Sequence, residues 1–180
     1  MCGRFALNAL PEDVLRLFEL DEIEDFPPRY NIAPTQPILV IEPSPGEGHN
    51  RAKRRASLAR WGLIPSWVKD VKALPLLVSA RAESVAEKAS FRAALRHRRV
   101  LVPASGYYEW RRTGTAKSQP FWIRPRDGGL IALAGLKEPY LSPDGSELDT
   151  AALITMESSG HIAQIHDRMP VVIAPEDFDR

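Results

Sequence analysis

Cysteine occurs once in this chain, at position 2. Removal of Met1 would leave Cys2 carrying a free α-amine and a thiol on the same residue. An α-amine titrates near pH ~8 and a thiol near ~8.5, so each supplies a usable reactive fraction at neutral pH. An aldehyde meeting this residue would condense with the amine to an imine and then take up the thiol, closing a five-membered thiazolidine with proximity in place of a second collision. A lone cysteine also commonly serves as a small buried hydrophobe, and second residues commonly fray. The neighbours favour chemistry: Gly3 permits close backbone approach, Arg4 brings a cation and Phe5 an aromatic ring.

Two further segments place ionisable groups among apolar ones. In Gly106-Tyr107-Tyr108-Glu109-Trp110, a strand would put Tyr107 and Glu109 on one face and Tyr108 and Trp110 on the other. A carboxylate between aromatic rings is partly desolvated, which raises its pKa and suits it to general acid–base work; a glutamate on the wet face of a sheet is the alternative. In Ile165-His166-Asp167-Arg168-Met169-Pro170, His166 titrates near neutrality, Arg168 offers a fork for a phosphate oxygen, and Pro170 holds Met169 extended. A histidine in such a loop also serves as a structural hydrogen-bonder, the role assigned to His161. A third stretch, Arg29 to Thr35, together with Trp61 and Trp67, has the rings and donors of a platform for unpaired bases. Core packing is the ordinary role of either tryptophan.

The elements that must hold these groups are short. Pro11-Glu12-Asp13, followed by Val14, Leu15, Leu17 and Phe18, reads as an amphipathic helix with proline and acids in its first turn. Strands are expected over 38–41, 58–61, 76–79, 100–102, 106–110, 120–123, 130–136 and 151–155, with broken helical periodicity over 83–98. Residues 44–50 read as a loop, and Thr113-Gly114 and Asp127-Gly128-Gly129 as turns. This pattern predicts an α+β fold, a single domain built on a curved, mostly antiparallel, barrel-like sheet with a few short helices.

Composition narrows the class. With 44% hydrophobic and 26% charged residues among 180, the chain supports one globular core. It shows no membrane-length apolar run and no signal-peptide layout, so a cytoplasmic protein is expected. One cysteine and four scattered histidines give no metal-ligand spacing, so neither metal nor cofactor is expected. A net charge of +1 does not mark a nucleic-acid binder, but arginines and lysines gather at 51–60, at 92–99 and at Arg111-Arg112, which phosphate contact or simple solvation would explain equally.

Six ordered motifs carry a resemblance: Met1-Cys2-Gly3-Arg4-Phe5, Tyr30-Asn31-Ile32-Ala33-Pro34, Trp61 to Trp67, Ala80-Arg81-Ala82-Glu83-Ser84, Gly106 to Trp110, and Ile165 to Pro170. Together they resemble the SRAP family, the SOS-response-associated peptidases or abasic-site processing proteins. The resemblance implies binding of single-stranded DNA and capture of the ring-opened abasic-site aldehyde by Cys2 as a thiazolidine cross-link, after autoproteolytic loss of Met1. It implies Glu109 as the acid–base group, His166 as a second proton-transfer group that also helps reversal, and Arg4, Asn31, Pro34, Trp67, Arg81 and Arg168 as DNA contacts. Ser79 stands where the family usually has the asparagine of Asn-Ala-Arg; with a shorter side chain and one donor fewer, it is expected to bond the sugar more weakly or through water. Lys137 stands where an aromatic is common and reads as surface variation. Residues 1–180 are expected to form one SRAP-like domain lacking a C-terminal segment, acting as a monomer on abasic single-stranded DNA, with no membrane partner, in the cytoplasm and on the nucleoid when DNA-bound. The alternatives are an N-terminal-nucleophile amidase of the glutaminase type, which also begins Met-Cys-Gly, and a non-covalent single-stranded DNA binder.

Overall fold

The structure is a computed structural model that describes residues 3–44, 54–112 and 118–179. Cys2, most of the loop over 44–50, Arg51, Lys53 and the turn at Thr113-Gly114 lie outside the described residues. From the N-terminus the elements are β1 (Arg4–Leu7), α1 (Pro11–Phe18), β2 (Arg29–Ile32), β3 (Pro37–Pro43), β4 (Arg54–Trp61), β5 (Ser79–Arg81), α2 (Ala89–His97), β6 (Arg99–Ala104) and β7 (Gly106–Arg112). They continue with β8 (Ser118–Ile123), β9 (Ile131–Leu141), β10 (Glu147–Glu157), β11 (Arg168–Pro170) and β12 (Val172–Ile173).

The fold is α+β, mostly strand with two helices, and barrel-like as expected. Strands β10, β4, β3, β6 and β9 pair in that order, and β9 pairs back onto β10, so the sheet closes on itself and loses its free edges. Around this ring β5 and β11 join β10, and β12 joins β9. All these pairings are antiparallel except β10 with β4 and with β5. A separate four-stranded sheet, ordered β2-β1-β7-β8, carries the Gly106 to Trp110 motif.

Local sequence explains α1 well. Pro11 sits in the first turn with Glu12 and Asp13 at the positive end, Arg16 lies in the last turn, and Val14 and Phe18, one turn apart, are both fully buried. Helix α2 starts later than the 83–98 periodicity suggests. Residues 82–87 are turns: the Ala82 amide donates to the Thr155 carbonyl at 2.8 Å and the Ser84 amide to Arg81 at 3.1 Å, which draws this segment onto β10 before the helix can begin. From there Phe91 and Ala94, spaced by three, face the core. Strands β1 and β2 were not visible as apolar alternation, because each is four residues long and exists by pairing, Phe5 with Ile32 and with Tyr107. The strand expected over 76–79 shifts to Ser79–Arg81, leaving Leu76 half exposed. Strands β9 and β10 run longer than expected, joined by a turn in which Gly145 has φ 86° and the Asp144 carboxylate accepts from the Ser146 amide at 3.0 Å.

Two expectations are corrected here. Trp61 is not a stacking platform: it is fully buried, meets Phe5 edge-to-face at 5.2 Å, and donates from Nε1 to the Val78 carbonyl at 2.9 Å. Lys137 is not surface variation. Its side chain is only 9% exposed, and its ammonium donates to both Glu42 oxygens at 3.1 and 3.0 Å and lies 2.8 Å from Asp149 Oδ2. It lies on β9, where it ties together β3 and β10, so a charge occupies a site that an aromatic ring would fill by packing. Some of the clustered arginines are likewise structural. Arg54 donates to the Phe18 carbonyl and to Asp179 and lies over the Phe178 ring, and Arg98 is forked on the buried Glu138. No helix among the described residues is long and apolar enough to cross a membrane.

Candidate active site

Strand β7 delivers Glu109. Its alternation is as the sequence predicts: Tyr107 and Glu109 point inward and are buried, at 2% and 1% exposure, while Tyr108 and Trp110 point outward. Beside it runs β1 in the opposite direction, pairing Arg4 with Tyr108 and Phe5 with Tyr107. One further step along this register brings Gly3, the residue bonded to Cys2, level with Glu109. Gly106 opens β7 because nothing larger fits: a Cβ there would lie 2.5 Å from the Ile123 carbonyl oxygen and 2.7 Å from the Trp122 ring. That ring packs at a tilt of 40° against Tyr108, centroids 4.6 Å apart, so the glycine secures the strand that aims Glu109 inward.

His166 approaches Glu109 from the far side. Its Nε2 lies 4.0 Å from Glu109 Oε2, an ion-pair distance that one small relaxation or one water closes to a hydrogen bond. The loop that carries it is tied at several points: the His166 amide donates to the Ile162 carbonyl at 3.0 Å, Ser158 Oγ donates to the His166 carbonyl at 2.5 Å, and the Ser158 amide donates to the Asp167 carbonyl at 3.0 Å. The Arg168 amide donates to His166 Nδ1 at 2.9 Å.

Arg168 does not present an open fork. Its guanidinium clamps the Glu83 carboxylate in bidentate fashion, at 2.7 and 2.9 Å, and also donates to the Thr155 carbonyl at 2.7 Å. These bonds to Arg168 hold the Glu83 carboxyl down at about 2 and raise the Arg168 guanidinium above its ordinary value. Glu83 also accepts from the Glu157 amide at 3.2 Å. The sequence held Glu83 within the Ala80 to Ser84 motif but gave it no role, because its partner lies 85 residues away. Thr155 is the meeting point of this side of the site: it pairs with Arg81 of β5 and with Pro170 of β11, and its carbonyl takes the Arg168 bond. Ser79, in the same strand as Arg81 and opposite Leu153, is half-buried, while Arg81 is exposed.

The remaining predicted residues form a rim. Arg4 Nη1 donates to Asn31 Oδ1 at 2.9 Å across β1 and β2, and Tyr108 OH donates to the Tyr30 carbonyl at 2.9 Å. Pro34 sits in a tight loop where Thr35 takes a left-handed φ of 74° and donates from its amide to the Trp61 carbonyl at 2.7 Å. Gln36 Oε1 braces the same loop by accepting from the Ala33 amide at 3.0 Å and from Arg29 Nη2 at 2.8 Å. Trp67, in the loop after β4, is 61% exposed. Glu109, His166 and Arg168 are thus linked by contact on the inner side and Arg4 with Asn31 on the outer. Pro34 precedes Thr35, whose amide ties the loop to Trp61, and Trp67 precedes Val68, whose amide donates to the Pro65 carbonyl at 3.0 Å. Among the described residues no cluster of His, Cys, Asp and Glu is gathered that could hold a metal ion.

Comparison with known proteins places this arrangement. The family model described as SOS response associated peptidase (SRAP) matches residues 1–180. The abasic site processing protein YoqW of Bacillus subtilis is 39% identical over 98% of this chain and 77% of its own length. The abasic site processing protein YedK of Escherichia coli is 32% identical, with 98% and 77% covered. A solved protein structure from Bacteroides thetaiotaomicron superposes with a TM-score of 0.85 at 26% identity, covering 99% of this chain and 79% of that one. The chain belongs to the SOS response associated peptidase (SRAP) family.

Proposed function

We propose that this protein processes abasic sites in single-stranded DNA by forming a covalent bond to them through Cys2. The observation that carries the reading is the Glu109–His166 pair, 4.0 Å apart, with Glu109 on the strand that runs beside the residues following Cys2. The names of the relatives support abasic DNA as the target.

Hydrolysis of the Met1–Cys2 peptide bond exposes the α-amine. The abasic sugar opens when its anomeric hydroxyl gives up a proton and its ring oxygen takes one, and a carboxyl group such as Glu109 is suited to both transfers. The amine adds to the aldehyde carbon, the resulting hydroxyl leaves as water after protonation, and the thiol then adds across the imine, forming the S–C bond and returning the nitrogen to a secondary amine. One water is lost overall, and no oxidant or cofactor is required. His166, with Nε2 toward Glu109, is placed to reload that carboxyl with a proton and, in the reverse direction, to protonate the ring nitrogen. Ser79 faces the sugar with its hydroxyl. Arg4, Asn31, Pro34, Trp67 and Arg81 form the surface that takes the strand, with Arg4 and Arg81 on phosphates and Trp67 and Pro34 against bases. Arg168, clamped by Glu83, acts from behind His166.

A denaturing gel of protein incubated with a single-stranded oligonucleotide bearing one abasic site tests this directly. A shifted band resistant to denaturant is expected for the wild type and absent for Cys2→Ala. Retention under native conditions alone, removed by salt and by denaturation, would identify a non-covalent binder instead.

A further inference from the structure

The imidazole of His166 faces a choice of tautomer, and its surroundings pull in opposite directions. At Nδ1 it meets one donor, the Arg168 amide at 2.9 Å, which requires a lone pair there and places the neutral ring's proton on Nε2, toward Glu109. At the same nitrogen it meets two acceptors, the Asp167 carboxylate at 3.0 Å and the Arg168 carbonyl at 3.2 Å, which favour a proton on Nδ1 and would leave Nε2 with a lone pair facing a carboxylate. Asp167 is 87% exposed and therefore screened, so the balance turns on how well the Arg168 backbone is held. That backbone is held by its pairing with Glu157 of β10 and by its own side chain, which is only 16% exposed and is fixed by the Glu83 carboxylate and the Thr155 carbonyl.

We infer that Glu83 is a positioning residue for the reaction: by gripping Arg168 it keeps the Arg168 amide on His166 Nδ1 and so directs the Nε2 proton at Glu109. The inference rests on the capture reading above for its catalytic consequence, but its structural content is independent of DNA. The charged and titratable groups facing His166 among the described residues are Glu109 from β7 and Asp167 and Arg168 from its own loop, with Glu83 behind Arg168. Without Glu83, the side-chain part of that hold is weakened, the Arg168 amide shifts from Nδ1 within its strand, and Asp167 draws the proton to Nδ1.

The experiment is ¹⁵N-edited NMR of the histidine ring nitrogens in the full chain, without DNA, alongside cross-linking rates with the abasic oligonucleotide. The wild type is expected to show His166 protonated on Nε2 in its neutral form, and a wild-type proton on Nδ1 overturns the inference without any variant. Glu83→Gln is expected to shift the neutral ring toward the Nδ1-protonated form and to slow cross-linking roughly tenfold to a hundredfold, the scale of a small misplacement of a proton-transfer group. Glu83→Asp, which keeps the charge, is expected to hold the tautomer and most of the rate. If Glu83→Gln leaves the tautomer unchanged and instead binds an unmodified single-stranded oligonucleotide more tightly, Glu83 only shields Arg168 from phosphate and the positioning role is wrong. Failure of the wild type to form any adduct would remove the capture reading while leaving the tautomer result standing.

Discussion

Cys2, Glu109 and His166 differ in what they owe to their surroundings. In the proposed reaction Cys2 brings both nucleophiles on one residue and needs little help, whereas the role proposed for Glu109 depends on β7, which carries it to 1% exposure within 4.0 Å of His166. Glu109→Gln keeps the shape and removes the proton shuttle; cross-linking is expected to slow by roughly 10²–10³ with little loss of DNA affinity, a drop read from single-turnover rates. Ser79→Asn restores the longer amide at a half-buried position, and a several-fold faster reaction is expected, whereas equal rates would show that the serine hydroxyl already suffices. The Glu83–Arg168 pair has a defined pH signature. With the Glu83 carboxyl lowered to about 2 from the ordinary 4.5, the pair stabilises the fold fully above 4.5, and the effect is lost as the pH falls through about 2. The stability difference between wild type and Glu83→Gln should therefore be constant at neutral pH and shrink toward zero in strong acid, as followed by urea unfolding at each pH. Alternation in the motif made the inward aim of Glu109 readable from sequence. The commitment of Arg168 to Glu83 was not readable, because it depends on the turn at 82–87 and the short strand β11 meeting over Thr155.

At the level of elements, the sheet decides more than local preference does. Helix α1 was legible because its apolar spacing, proline and acids all lie within eight residues. Strands β1 and β2 were not, since four-residue strands acquire their identity only from a register set by β7. The same holds for Trp61, whose burial follows from the parallel pairing of β4 with β10 and its Nε1 bond to Val78. Trp61→Ala should cost about 3–5 kcal/mol by urea denaturation and loosen the Thr35 loop whose amide bonds the Trp61 carbonyl. Lys137 poses the reverse case, a charge where packing would serve. Lys137→Met is expected to lose about 2 kcal/mol, less than the ~3–5 of a fully buried pair, because Arg55 remains 3.0 Å from Glu42. Adding Glu42→Leu to that variant should recover part of the loss.

For the whole molecule, the closed ring of β10, β4, β3, β6 and β9 supplies the frame, and the four-stranded sheet beside it carries Glu109 and the Arg4–Asn31 pair. The class of fold was readable from short strands at regular spacing, and closure was not, because β9 returning to β10 is a pairing between strands the sequence showed only in part. Both sheets contribute to the site: β7 of the four-stranded sheet carries Glu109, and β5, β10 and β11 of the larger sheet carry Ser79, Arg81, Thr155 and Arg168. The central claim is that Cys2 bonds to an abasic site through its amine and thiol together. Intact-mass measurement of the protein lacking Met1, after incubation with a single-stranded oligonucleotide bearing one abasic site, tests it most directly. A species equal to protein plus oligonucleotide minus one water is expected, abolished by Cys2→Ala. Unmodified protein, on a sample shown to lack Met1, would contradict it.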